Sequence, residues 1–140
     1  MTHFKLKKLY ILLLMTTISI PLFQIKLVQA QPNIPQVIYS CQTDNIFGQT
    51  YCSTWRWNGL YYKIFDSKGE QKRGIVMDVE RFDKDSVRIY EMSTHPSYYS
   101  DLEQIDKREA SYSGNPNGNQ IKGGLFVDTG SRTAVWNARW

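Results

Sequence analysis

Side chains able to do chemistry are scarce in this chain. It has two histidines and two cysteines among 140 residues. His3 lies in a basic N-terminal stretch, which leaves His95 as the one imidazole for a folded domain further along. There is no Gly-x-Ser-x-Gly elbow and no Cys-x-x-Cys pair, so the local signatures of a hydrolase elbow and of a dithiol redox site are both missing. One histidine without clustered carboxylates does not make a metal-ligand set. Asp83-Lys84-Asp85 lacks the following glycine and distal glutamate that a calcium loop needs. No cofactor and no metal are therefore expected. Long helical periods are absent after Ala30, which argues against a helical domain.

The charge is also less one-sided than it looks. The formal net charge is +4, but Lys5, Lys7, Lys8 and Lys26 account for all of it, and no acid precedes Asp44. The remainder balances acids against bases, so it lacks the electrostatic footprint of a nucleic-acid binder. Those early lysines belong to a different pattern. A basic start is followed by an apolar run from Leu9 to Phe23, then by Val28-Gln29-Ala30. This is the layout of a secretory signal peptide over 1–30, cleaved after Ala30. A retained anchor is the alternative. The run falls short of the roughly 20 apolar residues of a spanning helix, and Thr16, Thr17, Ser19 and Pro21 interrupt it. No stable membrane span is expected after cleavage. The first cysteine, Cys41, stands too far from the cut to carry a lipid. The expected location is extracytoplasmic, in a periplasm or the medium.

In such a compartment an even cysteine count reads as a disulfide, here Cys41 to Cys52. Residues 31–54 read as an extended lead and a disulfide loop, with Ile46-Phe47-Gly48 exposed at its tip. Residues 55–140 read as a β-barrel domain. Within it, Trp55 to Asp66 is rich in aromatic and β-branched residues, which suit a pleated surface. Ile75, Met77 and Val79 alternate with Val76, Asp78 and Glu80, the period of a half-buried strand. Asp78 and Glu80 then face solvent, and Asp83 and Asp85 belong to a turn. This outweighs a pair of carboxylates for sugar hydrolysis. Asn115-Pro116-Asn117-Gly118-Asn119 is a hairpin signal. Ala134, Trp136, Ala138 and Trp140 share one face, and alternating small and large residues fill the taper of a small barrel. Leu102 to Glu109 fits one helical turn or a polar edge strand. The expected fold is all-β: a small antiparallel meander, barrel or sandwich, with one disulfide. About 110 residues after cleavage can bury one core, so a single domain is expected, and a monomer.

Tyr112-Ser113-Gly114, Gly118-Asn119-Gln120-Ile121-Lys122-Gly123 and Trp136-Asn137-Ala138-Arg139-Trp140, with Trp55-Arg56-Trp57-Asn58-Gly59 upstream, are the most distinctive runs. With them the chain resembles small exported bacterial proteins of unassigned function, common in cyanobacteria, that look like lipocalin- or avidin-like barrels. Ser53 stands where lipocalins carry the glycine of Gly-x-Trp. The resemblance implies a fold and brings no ligand onto named residues.

The aromatics are the one excess. Trp55, Trp57, Tyr61, Tyr98, Tyr99 and Trp136 are the candidate ligand-binding residues, because aromatic bodies with polar tips suit cavity mouths and binding surfaces. Barrel packing is the competing explanation. The leading functional expectation is an exported, non-catalytic binding module for a small apolar molecule, or for a glycan or envelope protein at an aromatic rim. One alternative is an extracytoplasmic hydrolase using His95 with Ser93, Ser97 and Asp101, although neighbours in one loop rarely converge into a triad. Another is an inhibitor or envelope-interaction protein that makes its contact through the disulfide loop.

Overall fold

The computed structural model describes residues 33–140, residue 128 apart. The expected leader over 1–30 lies outside the described residues. Eight strands follow in order: β1 (Val37–Asp44), β2 (Thr50–Trp57), β3 (Tyr62–Phe65), β4 (Gln71–Phe82), β5 (Val87–Pro96), β6 (Glu103–Asn117), β7 (Gln120–Val127) and β8 (Arg132–Arg139). Each pairs antiparallel with the next, and β1 pairs with β8, so the sheet closes into a barrel. Of the two expected all-β forms, barrel and sandwich, the chain takes the barrel. No helix among the described residues is long and apolar enough to cross a membrane.

Two boundaries differ from the sequence reading. The barrel starts at Val37, not at Trp55. The expected lead and disulfide loop are two full strands, and Cys41 sits directly opposite Cys52 in their ladder. The polar residues Ser40, Gln42 and Ser53 occupy inward positions there, which erases the apolar alternation a strand normally shows. The second difference is a break within Trp55–Asp66. Asn58 accepts hydrogen bonds from the amides of Leu60 and Tyr61, and Gly59 takes φ +100°, so the chain reverses there. Leu102 to Glu109 resolves as strand, since β6 begins at Glu103.

The turns share one device. Asp44, Asn58, Asp66 and Asp83 each fold a side-chain oxygen back over two or more amides of the residues that follow. This is the Asx turn, which stands in for backbone pairing where a strand ends. Phe47, Gln49 and Ile46 donate to Asp44 and hold its carboxyl below the usual carboxylate range. Arg81, together with the Asp85 and Ser86 amides, lowers Asp83 to about 2.

Inside the barrel, apolar side chains come from alternate positions of every strand. Ile38, Trp55, Tyr62, Met77, Ile89 and Trp136 are among those fully buried. Ala134, Trp136 and Ala138 are buried together, and Trp140 packs against the same core, as the β8 alternation predicts. Arg88 lies exposed between buried Val87 and Ile89, and Arg56, Lys122 and Arg139 are exposed next to buried Trp55, Ile121 and Ala138. The apolar side of the wall is thus its inside, the reverse of a barrel that spans lipid.

Candidate functional site

The two ends of the barrel are built differently. At one end the chain termini of the domain and three turns converge. Trp57 packs edge-on to Tyr62, with ring centroids 5.1 Å apart. Phe82 does the same with Trp140 at 5.0 Å. The Tyr62 hydroxyl donates to the Pro35 carbonyl at 2.7 Å. These contacts plug that end. Burial pushes the Tyr62 phenol well above its ordinary value.

Across the middle runs an aromatic layer. Trp55 and Trp136 stack with centroids 5.9 Å apart and planes 15° from parallel. Tyr112 stands edge-on to both, at 5.1 and 5.4 Å. Buried indole N–H groups need acceptors, and two serines supply them. Trp136 Nε1 donates to Ser40 Oγ at 2.9 Å. Trp55 Nε1 donates to Ser53 Oγ at 3.0 Å.

Above this layer the barrel is open. A cavity of about 480 Å³ enters from the end formed by the β1–β2, β3–β4, β5–β6 and β7–β8 connections. Trp55, Tyr112, Ile64 and Leu125 form its floor and lower wall. Ser40, Ser53, Gln42 and Glu91 line the wall above, with Tyr51, Asp66, Lys72 and Glu109 at the rim. Glu109 is the extra residue of a β-bulge, opposite the point where the register shifts between Glu91 and Met92. Bulges commonly re-aim a side chain beside a site. A single polar chain crosses the cup. The Tyr112 hydroxyl lies 2.5 Å from Gln42 Oε1 and 3.3 Å from Glu91 Oε2. Burial, and then the nearby negative charge of Glu91, raise the Tyr112 phenol far above its ordinary value.

The six aromatics singled out in the sequence do not form one surface. Trp55 and Trp136 meet in the middle layer, and of the two Trp55 lines the cup. Trp57 belongs to the plugged end. Tyr61 is buried, and its hydroxyl accepts from the Glu103 amide at 3.3 Å, tying β6 to the start of β3. Tyr98 and Tyr99 are 97% and 98% exposed, in the connection between β5 and β6. Ile46 and Phe47, at the expected tip between the two cysteines, are exposed as well.

His95 lies at an exposed position of β5, opposite Gln104. Ser93 gives its hydroxyl hydrogen to the Lys107 carbonyl, not to the imidazole. Among the described residues, His95 has no side-chain bond to Ser97 or Asp101 and no group of three or more potential metal ligands gathers. Sequence reading missed Gln42, Glu91 and Tyr112 as a unit, because they come from β1, β5 and β6. The one local signal was a polar residue at an inward position: Glu91 stands two places after Ile89 in a period-two run.

No protein-family model matches the chain, nor does any curated protein or solved structure.

Proposed function

We propose that this protein is an exported, lipocalin-like binding module that holds a small molecule in the open end of its barrel and performs no chemistry on it. The observation that carries the reading is the cup itself. Its volume of about 480 Å³ falls within the range of small-molecule sites, which pair apolar walls with a few placed polar groups. An aromatic floor below Gln42, Glu91 and Tyr112 has that composition. Export is supported by the Cys41–Cys52 bridge, since such bonds persist in oxidising compartments. Monomeric behaviour is supported by closure, because a complete ring has no free edge strand to pair with a neighbour.

Native mass spectrometry of the protein purified from its own host tests this reading. A co-purifying small molecule, released on denaturation, is the expected result. A bare mass, together with tryptophan fluorescence insensitive to a panel of lipids, pigments and glycans, overturns it. Attention would then move to Tyr98 and Tyr99. Their near-complete exposure on one connection favours a glycan or envelope-protein contact there, which truncation of both rings would abolish.

A further inference from the structure

Six acids of this barrel already have a structural task. The Asp44, Asp66 and Asp83 carboxylates clamp turns. Glu80 takes Arg88 at 3.3 Å and the Tyr90 hydroxyl at 2.8 Å on the outer face. Glu103 accepts from Thr94 at 2.6 Å. Glu109 has Lys107 at 3.8 Å. Glu91 differs from these. It is half-buried on the inner wall, where Ile89 and Met77 beside it are fully buried. No lysine or arginine among the described residues pairs with it. Among the described residues its one hydrogen-bond contact is the Tyr112 hydroxyl at 3.3 Å. That hydroxyl has one hydrogen, and Gln42 Oε1 is the closer acceptor at 2.5 Å. The carboxylate therefore faces the cup with little to neutralise it. A carboxylate withdrawn from water calls for a cation or several donors.

The remaining charges of the lining point the same way. Asp66, Glu91 and Glu109 are negative and Lys72 alone is positive. Glu109 is already met by Lys107, and the remaining negative excess between low-dielectric walls favours a cation. Beneath Glu91 lies the face-to-face pair of Trp55 and Trp136, with Tyr112 edge-on. These rings are almost wholly buried against one another and close the cup with an apolar base.

We infer that the cup selects an organic cation, with an ammonium or similar group held by Glu91 and an apolar body in the space above the aromatic layer. The inference rests on the reading of the cup as a ligand site, and it adds the charge of what enters. The ligand supplies the counter-ion that the wall lacks. A carboxylate-bearing ligand of the same shape is repelled.

Three indoles of similar size separate the possibilities: tryptamine as cation, tryptophol as neutral analogue and indole-3-acetate as anion. Amide chemical-shift titration of the ¹⁵N-labelled protein gives both affinity and location. Tryptamine is expected to bind about tenfold or more tighter than tryptophol, with the largest shifts at Gln42, Glu91 and their neighbours, and indole-3-acetate is expected to bind weakest. Glu91→Gln should remove the preference for tryptamine over tryptophol. Equal binding of tryptamine and tryptophol in the cup overturns the cation inference and keeps the binding module. Tighter binding of indole-3-acetate overturns it too, with Lys72 as the anchor instead. If none of the three shifts any cup amide at millimolar concentration, both the inference and this use of the cup fall. The comparison within the unaltered protein holds even if the Glu91 variant does not fold.

Discussion

Ser40 and Ser53 face each other across the β1–β2 ladder, and each accepts the indole N–H of a different tryptophan. One cross-strand pair thus satisfies the polar atoms of both large rings in the middle of the barrel. Ser40→Ala leaves the Trp136 N–H buried without a partner, at a cost of about 1–3 kcal/mol. Ser53→Ala should cost less, because its bond is only partly buried. Urea unfolding followed by tryptophan fluorescence measures both. Equal stability of the Ser40 variant and the parent would show that another acceptor replaces the serine.

The β6–β7 ladder predicts two different glycine effects. Gly114 and Gly123 are opposite each other, and a methyl on Gly123 would lie 2.1 Å from the Ser113 carbonyl oxygen. Gly123→Ala must push backbone apart, and overpacking of this kind costs about 1–3 kcal/mol or more. Gly118 has open space around it but takes φ +61°, so Gly118→Ala should cost only the left-handed penalty of about 1–2 kcal/mol. Thermal unfolding of the two variants is expected to rank Gly123→Ala lower.

Reduction of the Cys41–Cys52 bond should destabilise the barrel without opening it. The bridge spans 11 positions, and the chain-entropy treatment of so short a loop gives about 3 kcal/mol. The two residues are already ladder partners, so pairing persists after reduction. Denaturation midpoints with and without reductant, beside an unchanged far-ultraviolet spectrum, check this.

Stability should fall on the alkaline side. Tyr62 and Tyr112 have raised phenol values in the folded protein, through burial first. The unfolded chain releases these protons near pH 10, while the folded one retains them. The stabilisation from both groups is therefore complete below about pH 10 and is lost as pH rises through the folded values. Absorbance at the tyrosinate band should show two phenols that ionise only with unfolding. Asp83 works in the opposite direction. Its folded value of about 2 keeps its contribution above the unfolded carboxyl value and loses it as pH drops through about 2, which carboxyl chemical shifts can follow.

The all-β character, the β6–β7 hairpin, the disulfide and the inner face of β8 were legible because each is local. Alternation of Ala134, Trp136 and Ala138 needs only a short stretch of sequence to be seen. The strands β1 and β2 were hidden for a physical reason: their inward residues Ser40, Gln42 and Ser53 are polar, and a polar inward row imitates a loop. The same residues build the cup, so the part of the chain that reads least like a strand is the part closest to the site. Gln42, Glu91 and Tyr112 meet only after three separate strands are placed, and no spacing within the sequence announces that. Trp57 and Tyr61 were singled out from the aromatic excess as candidates for a cavity mouth or binding surface. The turn at Asn58-Gly59 sends one to the plugged end and buries the other under β6.

Seven of the eight ladders join consecutive strands, and one joins the first to the last. In that last ladder Tyr39 meets Arg139, one hundred positions later. Hairpins can zip as soon as their two strands exist, but this seam carries the loop-closure entropy of the whole domain. Until it forms, β1 and β8 are both raw edges, open to pairing with another chain. Assembly of this barrel therefore has a vulnerable interval that ends with its C-terminal strand. Loss of Arg132–Arg139 would return the molecule to that interval permanently, as a curled sheet prone to self-association.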